Sequence, residues 1–179
     1  MTRTETRVRA VDTGADDRAA VAALLAAYHA RTEAEKVAHG LQAEGPLAPA
    51  YAAEIADPAA AFAGSSVLIA ERGDEALGMA VLRVPPGVAG MDEGAAAGDA
   101  AGDAEIKRLW VDPGARGAGV GSALLADAAT RARAVGAASL RLSVWDWRDD
   151  AIGLYRARGF QVAPSWESRE RLVCLRLPL

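Results

Sequence analysis

The sequence predicts an α/β fold whose mixed, mostly antiparallel sheet is flanked by helices. Three observations carry this reading. Two apolar strand-length runs, 66–70 and 76–84, face each other across a charged turn. A strand, a glycine-rich turn and an amphipathic helix follow between 104 and 135. Helix and strand then alternate to the end of the chain. A hairpin ahead of a β–α–β unit requires both antiparallel and parallel pairs. The 179 residues suit one domain over 1–179 with a core of its own. Apolar residues make up 51% and charged residues 25%, which excludes a disordered chain.

The expected order is β-α-α-β-β-β-α-β-α-β-β. Arg7–Val11 reads as a short strand. Asp12, Thr13, Asp16 and Asp17 supply cap residues and negative charge for a helix start. Val21, Leu24, Leu25 and Tyr28 then recur at helical spacing, and the pattern fades near Gly40. Pro49 opens a second helix, Pro49–Ala56, with Pro58 just past its end. Ser66–Ala70 and Ala76–Val84 form a β-hairpin about the turn from Glu71 to Glu75. The Gly-, Ala- and acid-rich stretch over 85–103 reads as a mobile loop. Ala104–Val111 is the next strand, ended by Asp112-Pro113-Gly114. Val120–Val135 is a helix stopped by Gly136. Leu140–Val144 is a strand. Asp149 or Asp150 caps a helix through Arg158, closed by Gly159. Val162 and Leu172–Leu177 supply a last antiparallel pair.

Charge and cysteine usage narrow the function. Twenty Lys and Arg stand against 24 Asp and Glu, a net charge of −4 with no basic block. Nucleic-acid binding needs a dense positive surface, so it is not expected. A mildly acidic surface suits a cationic small substrate. The single cysteine, Cys174, is expected as a buried, inert thiol. His29 and His39 show no metal-ligand spacing and read as structural or exposed. The first residues lack the pattern of a secretory signal, and no apolar run reaches membrane-spanning length. A cytoplasmic protein without a membrane partner is expected.

The chemistry concentrates in Arg116-Gly117-Ala118-Gly119-Val120-Gly121-Ser122, which follows a strand and opens a helix. Bare backbone N–H groups at a helix N-terminus bind anions, and without Cβ atoms a diphosphate can approach them. Arg116 adds a fixed positive charge beside them. A tight turn alone would also require glycine. A P-loop needs Gly-Lys-Ser/Thr, and no lysine is present. A dinucleotide fingerprint needs a different third glycine spacing, although Asp146 does stand just past the next strand. A dinucleotide-dependent oxidoreductase is therefore the rival reading.

The segment Ala104-Glu105-Ile106-Lys107-Arg108-Leu109-Trp110-Val111-Asp112-Pro113, followed by Arg116 to Leu125, resembles the acetyl-CoA motif of the GNAT superfamily of N-acetyltransferases. Arg116, Gly119 and Gly121 match its signature positions. Ala151-Ile152-Gly153-Leu154-Tyr155-Arg156-Ala157-Arg158-Gly159-Phe160 is similar to a second segment of that superfamily. The resemblance implies acetyl-CoA as co-substrate, no metal, and transfer to a small-molecule or peptide amine. It places the pantetheine arm against the backbone of Leu109, Trp110 and Val111. The diphosphate falls to the amides of Arg116, Gly117, Ala118, Gly119, Val120, Gly121 and Ser122. Tyr155 would protonate the leaving thiolate, although Ile152 and Tyr155 share a helix face and Tyr155 could equally be core. Arg148 stands where members often carry a CoA-contacting Asn. Homodimers are frequent in the superfamily. A non-catalytic acyl-CoA-binding protein of the same fold, or one using another acyl donor, carries the same motifs.

Only the neutral form of an amine attacks a thioester. With an alkyl amine pKa near 10.4, roughly one molecule in a few thousand is neutral at pH 7. A base or a pKa-lowering site is therefore needed. Glu105 is the candidate base, since it starts the strand placed beside the acetyl group. The alternative for Glu105 is a solvated strand edge. Asp92, Glu93, Asp99 and Asp103 could line the acceptor entrance or form a solvated loop. Trp145 and Trp147 could wall the acceptor or simply pack.

Overall fold

The computed structural model describes residues 5–11, 15–84 and 102–179. In chain order these form β1 (Arg7–Ala10), α1 (Ala15–Ala38), α2 (Pro49–Ala56), α3 (Pro58–Ala61), β2 (Ser66–Arg72), β3 (Glu75–Arg83) and β4 (Ala104–Val111). A 3-10 turn, Pro113–Ala115, leads to α4 (Val120–Ala134), β5 (Ser139–Trp145), α5 (Asp149–Ala157), β6 (Gln161–Val162) and β7 (Leu172–Pro178). The stretch read as a mobile loop lies outside the described residues from 85 to 101. So do Asp92, Glu93 and Asp99, and the cap residues Asp12 and Thr13.

The seven described strands make one sheet in the order β1-β2-β3-β4-β5-β7-β6. Every neighbouring pair is antiparallel except β4–β5. The expected mixed, mostly antiparallel architecture is therefore what forms. A doubly wound dinucleotide fold requires a mostly parallel sheet, so the oxidoreductase reading falls here.

Two departures from expectation have local causes. Pro58 does not simply follow α2; it opens a further one-turn helix, α3, whose cap Asp57 accepts a hydrogen bond from the Ala60 amide at 3.1 Å. Asp149 and Asp150 do not cap α5. Arg148 holds the cap position without a side-chain cap bond, and both acids fall in the first turn, where they favour the helix dipole.

Each face of the sheet carries its own core. On one, Leu124, Leu125, Ala128 and Ala132 of α4 pack on Leu68, Leu82, Ile106, Leu140 and Leu142. On the other, Val21, Leu24 and Leu25 of α1 pack on Ile69, Met79, Val81 and Trp110. The buried alanines of α4, Ala128, Ala129 and Ala132, let helix and sheet approach closely.

Gly78 of β3, opposite Val111 of β4, is the tightest point of the sheet. A Cβ there would lie 2.6 Å from the Trp110 carbonyl oxygen and 3.3 Å from the Val111 Cα. Backbone cannot yield as a side chain can. Gly78→Ala is expected to cost about 1–3 kcal/mol through overpacking. Urea unfolding measures it, and an unchanged midpoint would contradict the contact.

Candidate active site

The site begins with a seam in the sheet that does not close. β4 and β5 pair only at Ala104↔Leu140 and Glu105↔Arg141. Beyond Glu105 they diverge, while β5 stays paired with β7 along all seven residues from Ser139 to Trp145. The opening is a cleft lined by Ile106, Lys107, Arg108 and Leu109 on one side and Leu142, Ser143, Val144 and Trp145 on the other. Tyr28, Arg148, Tyr155, Arg169 and Leu172 complete it.

A bulge in β4 accompanies the opening. Val81 pairs with Lys107 and Met79 with Trp110, so Arg108 and Leu109 together face Ala80. Arg108 sits at φ 54, the left-handed region that a long side chain seldom adopts. Its guanidinium is held in place by Glu54 of α2, donating at 2.8 and 2.6 Å. The rings of Tyr28 and Tyr51 lie 5.7 and 5.4 Å away. Downstream the strand is regular: Trp110 joins the α1 core while Leu109 and Val111 join the α4 core.

The glycine-rich turn follows. Gly117 and Gly119 adopt φ of 73 and 83, and Gly119 is the cap residue of α4 without a side-chain cap bond. The amides of Gly117 and of Gly119 through Ser122 donate to no backbone carbonyl. These unpaired donors fit an anionic, diphosphate-bearing ligand. Arg116 is folded back on β4: its Nε donates to the Val111 carbonyl at 3.3 Å and the group lies 5.2 Å over the Trp110 ring. Gly121 has a different reason for lacking a side chain. A Cβ there would meet Leu154 Cδ2 of α5 at 2.9 Å, so this glycine serves helix packing.

Tyr155 is buried and reaches the cleft from α5. Burial, reinforced by Tyr28, pushes its phenol above the ordinary value of 10.0, so the hydroxyl keeps its proton at neutral pH. Arg148 lines the cleft with its guanidinium tied to α1, donating to Glu35 at 2.7 Å and to Thr32 Oγ1 at 2.8 Å. Glu105 is buried at the closed end of the seam, where its carboxylate meets Lys107 at 3.3 Å and Arg141 at 3.9 Å. It is not among the residues lining the cleft. Asp103 is also at that end, bonded to Ser139 and Arg176 rather than standing at the cleft mouth. Cys174 is buried in β7 away from the cleft lining.

A second, small cavity adjoins the cleft and shares Tyr28, Arg108, Trp145 and Arg169 with it. Its remaining walls are His29, Thr32, Glu33, Lys36 and Tyr51. Of this set the sequence reading had singled out only Trp145 as an acceptor wall. Trp145 stacks on Trp147 at 4.8 Å, and Trp147 on His39 at 4.2 Å. His29 is the hidden member. Its Nε2 lies 2.9 Å from the Glu54 carboxylate, and its ring stacks on Tyr51 at 4.4 Å. Nothing in the local sequence marks these residues, because α1, α2 and the β6–β7 connection meet only in three dimensions.

The acetyltransferase (GNAT) family model matches residues 26–160. The chain belongs to the GNAT acetyltransferase family. Solved GNAT structures share the fold. The ribosomal-protein-alanine N-acetyltransferase of Brucella melitensis superimposes with a TM-score of 0.65 at 22% identity, covering 97% of this chain and 99% of that one. A GNAT acetyltransferase of Elizabethkingia anophelis with acetyl-CoA bound gives 0.51 at 19% identity, over 66% of this chain and 78% of that one. In sequence, a blasticidin-S acetyltransferase of Streptomyces morookaense is 44% identical over 61 residues, 34% of this chain. That match spans 43% of the Streptomyces protein, less than half its length. Among the described residues no helix is long and apolar enough to cross a membrane.

Burial holds the His29 imidazole below its ordinary value of 6.5, against the opposing pull of Glu54. Arg108 of β4 adds to the lowering; Glu33 of α1 opposes it. As pH falls through 6.5, the unfolded chain takes up a proton that the native His29 refuses, so stability declines. Carboxylates held low by their partners, Glu54 among them, add their own loss only below about 4.5. His29→Gln is expected to flatten the stability-against-pH curve between about 6.5 and 5, measured by urea unfolding. An unaltered slope would show that His29 is not the group responsible.

Proposed function

We propose that this chain is an acetyl-CoA-dependent N-acetyltransferase that hands an acetyl group to a primary amine by direct attack. Two observations carry the proposal: the open β4–β5 seam and, past the end of β4, a row of unpaired amides at the start of α4. An extended pantetheine arm can lie in the seam as an added strand, against the backbone of Leu109, Trp110 and Val111. A backbone N–H of that strand stabilises the oxyanion that develops on attack. The diphosphate takes the amides between Arg116 and Ser122, with Arg116 able to swing from Trp110 toward it. Arg148, held by Glu35 and Thr32, keeps a fixed positive charge beside the thioester end of the cleft.

Tyr155, which reaches the cleft from α5, gives its proton to the departing thiolate. Glu105 takes the amine's proton through solvent past Lys107, since its carboxylate does not itself reach the cleft. The acceptor enters from the second cavity, between Tyr28, Tyr51 and Trp145. The partial similarity to a blasticidin-S acetyltransferase makes blasticidin S one natural member of an acceptor panel, beside peptide N-termini and aminoglycosides. Release of free CoA thiol with at least one of these amines tests the reading; tight acetyl-CoA binding without thiol release from any of them would reduce the protein to an acyl-CoA binder.

Gly119→Asp places a carboxylate against the diphosphate site. Aspartate is a favoured helix cap and tolerates the left-handed region, so the variant should fold. Calorimetry should show acetyl-CoA affinity falling by about 100-fold, some 2.7 kcal/mol. Unchanged affinity in the folded variant would place the diphosphate elsewhere.

Tyr155→Phe should lower kcat by about 100-fold while altering acetyl-CoA affinity by less than about threefold. Glu105→Gln should lower kcat most steeply at low pH, where fewer amines are neutral. Steady-state kinetics across pH reads both. Full turnover in either variant removes that residue from proton transfer.

A further inference from the structure

Of the twenty basic residues in the sequence only two are lysines, Lys36 and Lys107, and both line the cleft or the cavity joined to it. All the other side-chain cations are arginines, which carry no acylatable amine at neutral pH. The two lysines are differently placed. Lys107 is 38% exposed and leans to Glu105 at the closed end of the seam. Lys36, on the last turn of α1, is 12% exposed and points into the acceptor cavity.

Its Nζ sits 5.3 Å from the centroid of Tyr51 and 5.9 Å from that of Trp145, with Glu33 at 2.6 Å. Trp145 walls both the cavity and the cleft. The chain's own primary amine is thus seated between aromatic faces where an acceptor amine would have to pass. We propose that Lys36 is itself an acceptor, acetylated in cis from acetyl-CoA bound in the β4–β5 cleft. This rests on the acetyltransferase reading above.

The step balances without further reagents. One proton leaves the Lys36 ammonium to solvent, and the neutral nitrogen attacks the thioester carbon. The C–N bond forms, the C–S bond breaks, and the second proton of the nitrogen goes with the sulfur as CoA thiol. The acetylated side chain no longer pairs with Glu33, and its neutral amide fills part of the cavity. Self-acetylation would therefore compete with outside acceptors whenever these are scarce.

Incubation of the full chain with acetyl-CoA alone, followed by digestion and mass spectrometry, tests this. The expected result is one acetyl group on Lys36, with Lys107 left at background. The rate constant should be the same at widely different protein concentrations. Labelling should be lost in Lys36→Arg, and lost also when a ketone analogue of acetyl-CoA, which cannot release its acyl group, is added in excess. Lys36 left unmodified by a sample that acetylates a panel amine overturns the proposal and spares the enzymatic reading. So does labelling that rises with protein concentration or persists under the analogue. Failure of calorimetry to detect acetyl-CoA binding would bring down both.

Discussion

The parting of β4 from β5 is the constraint on which the rest of the molecule depends. A parallel pair that continued past Glu105 would close the cleft and leave no edge for a ligand. The bulge prevents this locally. Holding a non-glycine residue in the left-handed region costs about 1–2 kcal/mol, and at Arg108 a two-pronged contact with Glu54 and two flanking rings offset that cost. The sheet survives the opening because each diverging strand keeps its other neighbour, β3 for β4 and β7 for β5. The freed backbone groups along the seam then require water or an extended ligand as partner.

The glycine-rich turn, the proposed diphosphate site, is tied to the same strand. Arg116 bonds the last carbonyl of β4, and the Asp112 amide donates to Leu77 of β3 at 2.8 Å. The turn between β4 and α4 therefore cannot drift from the cleft. Three glycines that look alike in sequence divide the work. Gly117 and Gly119 supply positive φ, which turns their neighbours' amides outward. Gly121 lets α5 approach, and α5 carries Tyr155. A single short motif thus sets both the unpaired amides of the turn and the approach of the helix that carries Tyr155.

Most elements were legible because period and punctuation agreed. Pro49 at the head of α2 and Gly136 after α4 are examples. The bulge also left a trace. The inward apolar residues of β4 run Ala104, Ile106, then Leu109, Val111, and the step of three breaks a period of two. The turn read as a diphosphate site was legible because its residues are consecutive. The cavity beside Trp145 was not. His29 and Glu54 belong to helices joined by a long proline-containing stretch, and Arg108 reads as an ordinary strand cation. Their meeting depends on how α1 and α2 pack over the bulge, which no local pattern encodes. Glu105 is the converse: its motif context suggested a reacting group, while its position at the closed end makes any proton transfer indirect.

In the proposed reaction, the electrostatics of the cavity beside the cleft bear on how an amine is made reactive. Its acids are already spoken for: Glu33 by Lys36, Glu54 by Arg108 and His29, and the neighbouring Glu35 by Arg148. A cavity with an unpaired carboxylate would hold the ammonium form and oppose attack. Here the walls offer aromatic faces and matched ion pairs, with Arg108 held by Glu54 and Arg169 by Glu167 at the border with the cleft. In the proposed reaction an incoming ammonium gains about 0.5–1 kcal/mol per ring from such faces at partly exposed sites. An outside amine that enters then finds no unpaired carboxylate among the cavity walls to hold its ammonium form, since the wall acid Glu33 is already paired with Lys36.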